Sequence, residues 1–163
     1  MQFSITHPYP RDTETVFRIL TDPEYLLEKI EYTGARNFSV LECGENDGRF
    51  IIRTRREVQA NPPAFAKKFI HAWNTVVGTD TWLDYHGKTK TGVSDIDIKG
   101  MPIRYTAELA LKPTKKGCNY VIACDISVRI PLIGGKIEKL AEADTRANQA
   151  LDYEFTRRYL ENL

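Results

Sequence analysis

Five polar residues are the side chains of this sequence most suited to contact a ligand. Tyr85, Tyr105 and Tyr120 lie in three segments in which apolar and polar residues alternate, and each is assigned to the apolar side of its segment. Asp144 and Asn148 fall inside the apolar stripe of a long helical segment. Hydroxyl, carboxylate and amide groups among apolar side chains can hold the polar group of a small organic ligand. The alternative for the tyrosines is core packing, with each hydroxyl bonded to a backbone carbonyl.

Asp144 needs a compensating interaction, because a carboxylate in an apolar stripe is costly unless water or a partner meets it. A hydrated cavity beneath the helix would supply that water and would make Asp144 the polar anchor of a ligand. A small rotation of the helix would instead take Asp144 to solvent, or to a partner such as Arg146 or an inward tyrosine. The sequence leaves both alternatives open.

Motifs for other chemistry are incomplete. His7, His71 and His86 do not have metal-ligand spacing, and the GxSxG motif of serine hydrolases does not occur. The Ile-Gly-Gly-Lys stretch at 133–136 lies between a strand and a helix, but it lacks the first glycine and the Ser or Thr of a phosphate-binding loop. This stretch predicts a tight turn. We therefore expect no metal and no cofactor.

The densest basic segment could bind an anionic surface or could form a solvated strand face. Its members are Arg49, Arg53, Arg55, Arg56, Lys67 and Lys68. Four carboxylates on neighbouring predicted strands can pair with the arginines across the outer face, which favours the second interpretation: Asp80, Asp84, Asp95 and Asp97. The net charge of +1, from 23 Lys and Arg against 22 Asp and Glu, is also unlike that of a nucleic-acid-binding domain. We expect no nucleic-acid partner.

The composition indicates one globular domain, residues 1–163, and the cysteines indicate a reducing compartment. The 163 residues are 42% hydrophobic and 28% charged, which is ordinary for a folded domain. No segment has the roughly 18 consecutive apolar residues that a membrane span requires, and the N-terminus does not have the pattern of a signal peptide. The 3 cysteines form no paired motif and indicate free thiols. We expect a cytoplasmic protein without integral membrane association.

The predicted elements follow the order β-α-α-β-β-β-β-β-β-α. Alternating segments predict seven strands, at 2–7, 36–43, 49–58, 74–86, 93–99, 104–112 and 118–130. Asp12 and Asp22 are N-cap candidates for two short helices, and Pro23 suits the first position of the second one. Residues 136–160 contain no Pro or Gly and predict a long helix. The gaps between the strands are too short for crossover helices, so the sheet must be antiparallel, and only the long helix is large enough to cover it.

The alternation also predicts which side chains face the long helix. The predicted inward set includes Ile96, Ile98, Tyr105, Leu109, Tyr120, Ile122 and Cys124. The segment 74–86 is ambiguous, because Leu83 and Tyr85 are assigned to one face while Asp80, Trp82 and Asp84 share the other. Burying two aspartates costs several kcal/mol. We therefore predict that Leu83 and Tyr85 face inward, and that Trp82 lies partly exposed between aspartates paired with arginines.

Three short stretches and the order of the elements carry a resemblance to a known superfamily. The stretches are 21–25 (Thr-Asp-Pro-Glu-Tyr), 78–82 (Gly-Thr-Asp-Thr-Trp) and 130–138 (Ile-Pro-Leu-Ile-Gly-Gly-Lys-Ile-Glu). Over nearly its whole length the chain resembles the START-like superfamily, also called the helix-grip or birch-pollen-allergen fold, and within it a bacterial family of unknown function. The resemblance implies an α+β fold, with a curved seven-stranded antiparallel sheet around a long C-terminal helix and two short helices after the first strand. Members hold lipids, sterols, polyketides or plant hormones in a cavity between sheet and helix, and some are cyclases, aromatases or hydrolases.

We predict that the chain binds a small hydrophobic or amphipathic ligand, of a lipid-like or polyketide-like kind, between the sheet and the long helix. The residues predicted to line the cavity are Leu83, Tyr85, Ile96, Ile98, Tyr105, Leu109, Tyr120, Ile122, Cys124, Asp144, Asn148, Leu151 and Phe155. One alternative is an enzyme on the same fold, with Asp144 as general acid or base beside a tyrosine. A further alternative is a protein-interaction module that uses the outer face of the sheet and Trp82.

Overall fold

The structure, a computed structural model, describes residues 1–163 and contains seven strands and three helices. The strands are β1 (Gln2–Tyr9), β2 (Arg36–Asn46), β3 (Arg49–Gln59), β4 (Trp73–Asp84), β5 (Lys90–Ile98), β6 (Ile103–Thr114) and β7 (Gly117–Val128). The helices are α1 (Thr13–Leu20), α2 (Pro23–Tyr32) and α3 (Gly134–Glu161), and a 3-10 turn lies at Ala64–Ala66. Every predicted element is present, with bounds that differ by a few residues.

All seven strands form one antiparallel sheet, in the order β1-β7-β6-β5-β4-β3-β2. Consecutive strands are neighbours except for β1, which pairs with β7 at the far edge. The turn between β2 and β3 places Asp47 and Gly48 in the left-handed region, with φ of 55° and 76°, as a two-residue hairpin requires. The predicted antiparallel sheet and α+β class are confirmed.

The two short helices begin at the predicted caps. Asp12 accepts a hydrogen bond from the backbone N–H of Thr15 (2.8 Å), and Asp22 accepts one from the backbone N–H of Glu24 (3.0 Å). Each cap uses a donor that the first turn of a helix would otherwise leave unpaired. These helices cover one end of the sheet, and Phe17 of α1 is buried in the hydrophobic core of the protein.

Lys90 fastens α1 to the sheet. Its side chain is fully buried, and Nζ donates to a Glu14 carboxylate oxygen (2.9 Å) and to the backbone carbonyls of Tyr85 (2.7 Å) and Gly87 (2.9 Å). An ammonium group has three donors, and all three are used here. This buried charge is therefore satisfied within the fold and is part of the scaffold.

Helix α3 begins at Gly134, two residues earlier than predicted. A Cβ atom at Gly134 would lie 2.5 Å from the carbonyl oxygen of Val128, so a side chain at this position would collide with the end of β7. From this close start α3 packs against β7, β1 and α2. Because it lies over that side of the sheet, space remains above the central strands. Neither α3 nor any other helix is long and apolar enough to cross a membrane.

Strand β4 presents the opposite face from the one predicted. Trp82 is 1% exposed on the inner face and packs edge-on against Phe17, with ring centroids 5.3 Å apart, whereas Leu83 is 51% exposed on the outer face. Asp80, two residues before Trp82, therefore points inward as well. The prediction was wrong because burial of the large indole, together with a local hydrogen bond to the carboxylate, outweighs the cost of an inward aspartate.

The outer-face pairing predicted for the arginines is also wrong. Arg53 lies opposite Thr79, donates to its hydroxyl (3.2 Å) and lies 3.6 Å from Glu42 of β2. Asp84 is exposed on the outer side near the end of β4. The irregular register between Trp82 and Asp84 brings Tyr85 back into the core, where its ring stacks on Phe17.

Trp82→Ala tests the assignment of the faces of β4. We expect the variant to lose about 3–5 kcal/mol of the free energy of unfolding, because a buried indole is replaced by a cavity. The neighbouring control, Leu83→Ala, removes a half-exposed side chain and should change the free energy of unfolding by less than about 1 kcal/mol. Urea unfolding followed by circular dichroism measures both. Equal losses, or a larger loss at Leu83, would contradict the observed register.

Candidate functional site

A cavity lies between the central strands and α3, and it consists of two adjoining chambers. The inner chamber, about 150 Å³, extends from β1 and α2 to the middle of the sheet. The outer chamber, about 310 Å³, lies between α3, the segment after β3 and the turn after β5. The chambers share seven lining residues, which mark their junction: Arg56, Ile96, Tyr105, Thr145, Asn148, Gln149 and Asp152.

The inner chamber contains four formally charged side chains. Lys29 of α2 and Asp152 of α3 form an ion pair with Nζ 3.8 Å from the carboxylate. Asp80 of β4 accepts a hydrogen bond from the Ser94 hydroxyl of β5 (2.6 Å). The fourth is Arg56 of β3. Two cations and two anions thus meet in a small interior space, which is unusual for a core that only packs.

Asp80 is desolvated deep inside the molecule. Burial raises the pKa of its carboxyl group above the ordinary value, although the Ser94 hydrogen bond and the positive charges of Lys29 and Arg56 oppose that change. The desolvation effect outweighs these interactions, so the cavity favours the neutral form of Asp80 more than water does.

Arg56 has no partner within the fold. Its guanidinium group forms no hydrogen bond within the protein and has no carboxylate oxygen within 4.0 Å. The side chain is partly buried and borders both chambers of the cavity. Burial lowers the pKa of the guanidinium group, while Asp152 and Asp80 oppose the change from a distance. Five N–H donors are therefore available at the junction of the two chambers.

The tyrosines at the cavity differ in how their hydroxyl groups are satisfied. Tyr105 shares a short hydrogen bond with Thr145 of α3, and Tyr25 of α2 shares one with Thr156. Tyr120 has no hydrogen-bond partner, and burial raises the pKa of its hydroxyl well above the ordinary value, with nearby Asp80 adding to the effect. The Tyr120 ring lies against Trp82, with centroids 6.2 Å apart. Tyr120 therefore presents a free hydroxyl group near Asp80.

At the β1 wall, His7 holds a polar contact with α3. Its Nε2 lies 3.2 Å from the Gln149 side-chain oxygen, and its ring stacks on Tyr153 at a centroid distance of 4.8 Å. Burial lowers the pKa of His7. This favours the neutral imidazole, which can donate one hydrogen bond to Gln149 and still stack.

The outer chamber is mainly apolar and reaches the surface. Its walls include Val76, Ile98, Met101, Ile137 and Ala141. Its rim includes exposed residues of β3 and α3, so solvent and small molecules can enter there. A cavity of this kind, with apolar walls and a few polar groups at one end, is typical of sites that bind small organic molecules.

Asp144 lies at this rim and not under the helix. It is exposed, it forms no ion pair, and partial burial raises the pKa of its carboxyl group. It makes no hydrogen bond to a tyrosine, so the acid–tyrosine pair of the enzyme alternative is not formed. The interaction alternative required an exposed Trp82, which is instead buried.

The predicted lining residues divide into three groups. Ten of the thirteen border a chamber. One is Asp144 at the rim, and the others are Ile96, Ile98, Tyr105, Leu109, Tyr120, Ile122, Cys124, Asn148 and Leu151. Leu83 faces outward, and Tyr85 lies in the core with its hydroxyl bonded to Glu45, so neither reaches the cavity. Phe155 packs on Tyr25 and Tyr32 beside α2. Binding by the bordering residues stays a prediction.

The inward face of α3 is rotated from the predicted one. With Ile137 at zero and about 100° per residue, the inward residues Asn148, Asp152, Thr145 and Thr156 lie between about 20° and 100°. The predicted stripe was centred near zero, where Phe155 lies. The rotation takes Asp144 and Leu151 to the edge of the cavity and brings polar residues to its centre. Few apolar residues on α3 fix its phase, so polar contacts such as that of Thr145 with Tyr105 determine it.

Sequence reasoning missed the central charges, although a signal existed for one of them. Period-two alternation along β3 places Phe50, Ile52, Thr54 and Arg56 on one face, so the apolar Phe50 and Ile52 already indicate that Arg56 points inward. Arg56 was instead grouped with the outer arginines by its charge. The inward direction of Asp80 depends on its hydrogen bond with Ser94, which joins two strands and has no signal in the sequence.

No three His, Cys, Asp or Glu side chains come together in an arrangement that could hold a metal ion. The polar groups of the cavity are instead an arginine, an ion pair, a carboxyl group and hydroxyls, which suit the polar part of an organic molecule. Such groups can also transfer protons, but none of them is paired in the manner of a nucleophile and its base.

Comparisons with known proteins identify related chains and folds. The sequence model of a family described as "Protein of unknown function (DUF2505)" matches residues 4–160. An uncharacterized protein of Mycobacterium tuberculosis H37Rv is 26% identical over 172 residues, which covers 98% of this chain and 97% of that protein. The match therefore spans both chains almost completely.

Solved structures of other proteins share the fold, among them those of a human protein and a synthase. Human STARD10 has a TM-score of 0.64 and 11% identity, with 98% of this chain and 64% of that chain covered. Norcoclaurine synthase from Thalictrum flavum, solved in complex with dopamine and hydroxybenzaldehyde, has a TM-score of 0.62 and 15% identity, with 100% of this chain and 87% of that chain covered. The helix-grip, START-like fold expected from the sequence is confirmed.

Asp80→Asn tests the electrostatics of the inner chamber. An acid with a higher pKa in the folded than in the unfolded chain destabilises the fold as the pH rises above its ordinary value of 3.8. The variant leaves unchanged the other ionisable groups that face Asp80, namely Arg56, Lys29, Asp152 and Tyr120. We therefore expect the stability of Asp80→Asn, relative to the unchanged protein, to increase between about pH 4 and pH 7. Urea unfolding at both pH values measures the difference.

The matched control is Asp95→Asn, on the exposed face of β5, for which no such increase is expected. A relative stability of Asp80→Asn that falls toward neutral pH would show that the ionised carboxylate stabilises the chamber, and it would contradict the desolvation argument.

Proposed function

We propose that this chain, which belongs to the DUF2505 family, binds a small amphipathic organic molecule between its sheet and α3. The apolar part of the molecule occupies the outer chamber, and its polar part reaches the junction and the inner chamber. The observation that carries this proposal is the joined pair of chambers, one mainly apolar with an opening to solvent and one rich in polar groups.

The size of the chambers supports a ligand of modest dimensions. Pockets for small organic ligands commonly have volumes of about 300–1,000 Å³, and the outer chamber alone has about 310 Å³. A ring system or a short branched chain fits this volume, whereas a complete two-chain lipid would need further opening. Within the predicted range of hydrophobic and amphipathic ligands, we therefore favour a compact amphipath.

The START-like fold adds support by analogy only. Norcoclaurine synthase holds dopamine and hydroxybenzaldehyde, two small aromatic molecules with polar substituents. By that analogy, a small aromatic molecule with polar substituents belongs to the ligand class proposed for this chain. We further propose that residues 1–163 act as one START-like domain in the cytoplasm, because the three free cysteines suit a reducing compartment.

Ala141→Trp tests the proposal, because the larger side chain would fill the outer chamber from α3. We expect the unchanged protein to bind 1-naphthaleneethanol, a neutral amphipath, with a Kd below about 1 mM, which corresponds to about 4 kcal/mol. Ala141→Trp should weaken this binding at least about tenfold. Isothermal titration calorimetry measures both affinities.

Ala143→Trp is the control, since Ala143 lies on the exposed side of α3, and it should bind like the unchanged protein. Circular dichroism confirms that each variant is folded. Equal affinity in both tryptophan variants would place the probe outside the chamber and would contradict the proposed function.

A further inference from the structure

We propose that the polar group of the ligand is an anion, in the simplest case a carboxylate, and that Arg56 binds it at the junction of the two chambers. This inference rests on the proposed function and names the chemical class of its ligand. It starts from the one charged side chain of the cavity that the fold leaves without a partner.

The other charges of the inner chamber are engaged. Lys29 and Asp152 are paired at 3.8 Å, and Asp80 accepts the Ser94 hydroxyl at 2.6 Å. Arg56 has five N–H donors in a planar fork, and it forms no hydrogen bond or ion pair with the surrounding residues. The guanidinium group faces the cavity, and a charged hydrogen bond to an acceptor that matches its fork is stronger inside the molecule than at the surface.

The position of Arg56 suits recognition of one end of an amphipath. Arg56 borders both chambers, so its guanidinium group lies where the apolar outer space meets the polar inner one. Arg56 pairs with Val76 of β4, and the next inward position on that strand is Gly78, where an added Cβ would lie 3.6 Å from Arg56 Nη1. With no side chain at Gly78, the inner surface of β4 leaves the guanidinium group open to the cavity.

Asp80 decides between an anionic and a cationic ligand. If it were ionised and free, it would attract a cation and would compete for Arg56. Burial shifts Asp80 toward its neutral form, and Ser94 occupies one of its oxygens. Arg56 forms no hydrogen bond or ion pair, whereas Lys29 is paired with Asp152, so Arg56 is the charge in the cavity that an incoming anion can engage.

Three probes with one ring and different polar groups test the inference: 1-naphthaleneacetate, 1-naphthaleneethanol and 1-naphthaleneethylamine. Calorimetry on the unchanged protein should give an affinity for the acetate at least about tenfold higher than for the alcohol, because a charged hydrogen-bonded pair adds to the same ring contacts. The amine should bind no tighter than the alcohol. In Arg56→Gln, the acetate and the alcohol should differ by less than about twofold.

Arg55→Gln is the matched control, because Arg55 is the neighbouring arginine on the outer face of β3, and it should keep the preference for the acetate. Asp80→Asn provides a second route if Arg56→Gln does not fold. It should strengthen binding of the acetate and leave the amine no better than the alcohol, since it removes the negative charge that an ionised Asp80 would place near the bound carboxylate.

The outcomes separate this inference from the proposed function. Tightest binding of the amine, equal binding of the three probes, or a preference for the acetate that survives in Arg56→Gln would each overturn the anionic ligand while leaving an amphipath-binding cavity. If none of the three probes binds, the proposed function fails and this inference fails with it.

Discussion

Burial of Trp82 is the contact on which the character of the cavity depends. The indole is the largest side chain that the fold buries completely, and it holds β4 to Phe17 of α1. Because side chains alternate along a strand, the same choice of face turns Asp80 toward α3. The register of β3 with β4 places Ile52 opposite Asp80 and brings Arg56 to the same inner face. The burial of one apolar side chain thus accompanies the inward direction of two charged residues, Asp80 and Arg56.

Helix α3 directs its polar side toward these charges. Its inward residues include Thr145, Asn148 and Asp152, whereas its aromatic residue Phe155 packs beside α2. The long helix therefore does not seal the sheet with an apolar face, and it begins close against β7 because Gly134 permits it. Polar walls on both sides keep the inner space open to polar groups. The apolar outer chamber then supplies the surface that a ring or chain can bury.

The fold could be predicted from the sequence because its signals are local. Period-two segments and the caps Asp12 and Asp22 each act within a few residues, and they agree with the structure, whereas the Gly-Gly pair predicted as a turn forms the start of α3. The centre of the site could not be predicted in the same way. Whether Asp80 faces inward depends on Ser94 across the sheet and on Trp82 in the core, and the phase of α3 depends on contacts with other elements. Charge patterning alone favoured the wrong face.

A crystal structure of the complex with 1-naphthaleneacetate would show whether Arg56 holds the anion. We expect the carboxylate within hydrogen-bond distance of the Arg56 guanidinium group, with the ring in the outer chamber between Ile98 and Ala141. A ring in the inner chamber with its carboxylate toward the opening, or a molecule bound outside both chambers, would contradict this expectation.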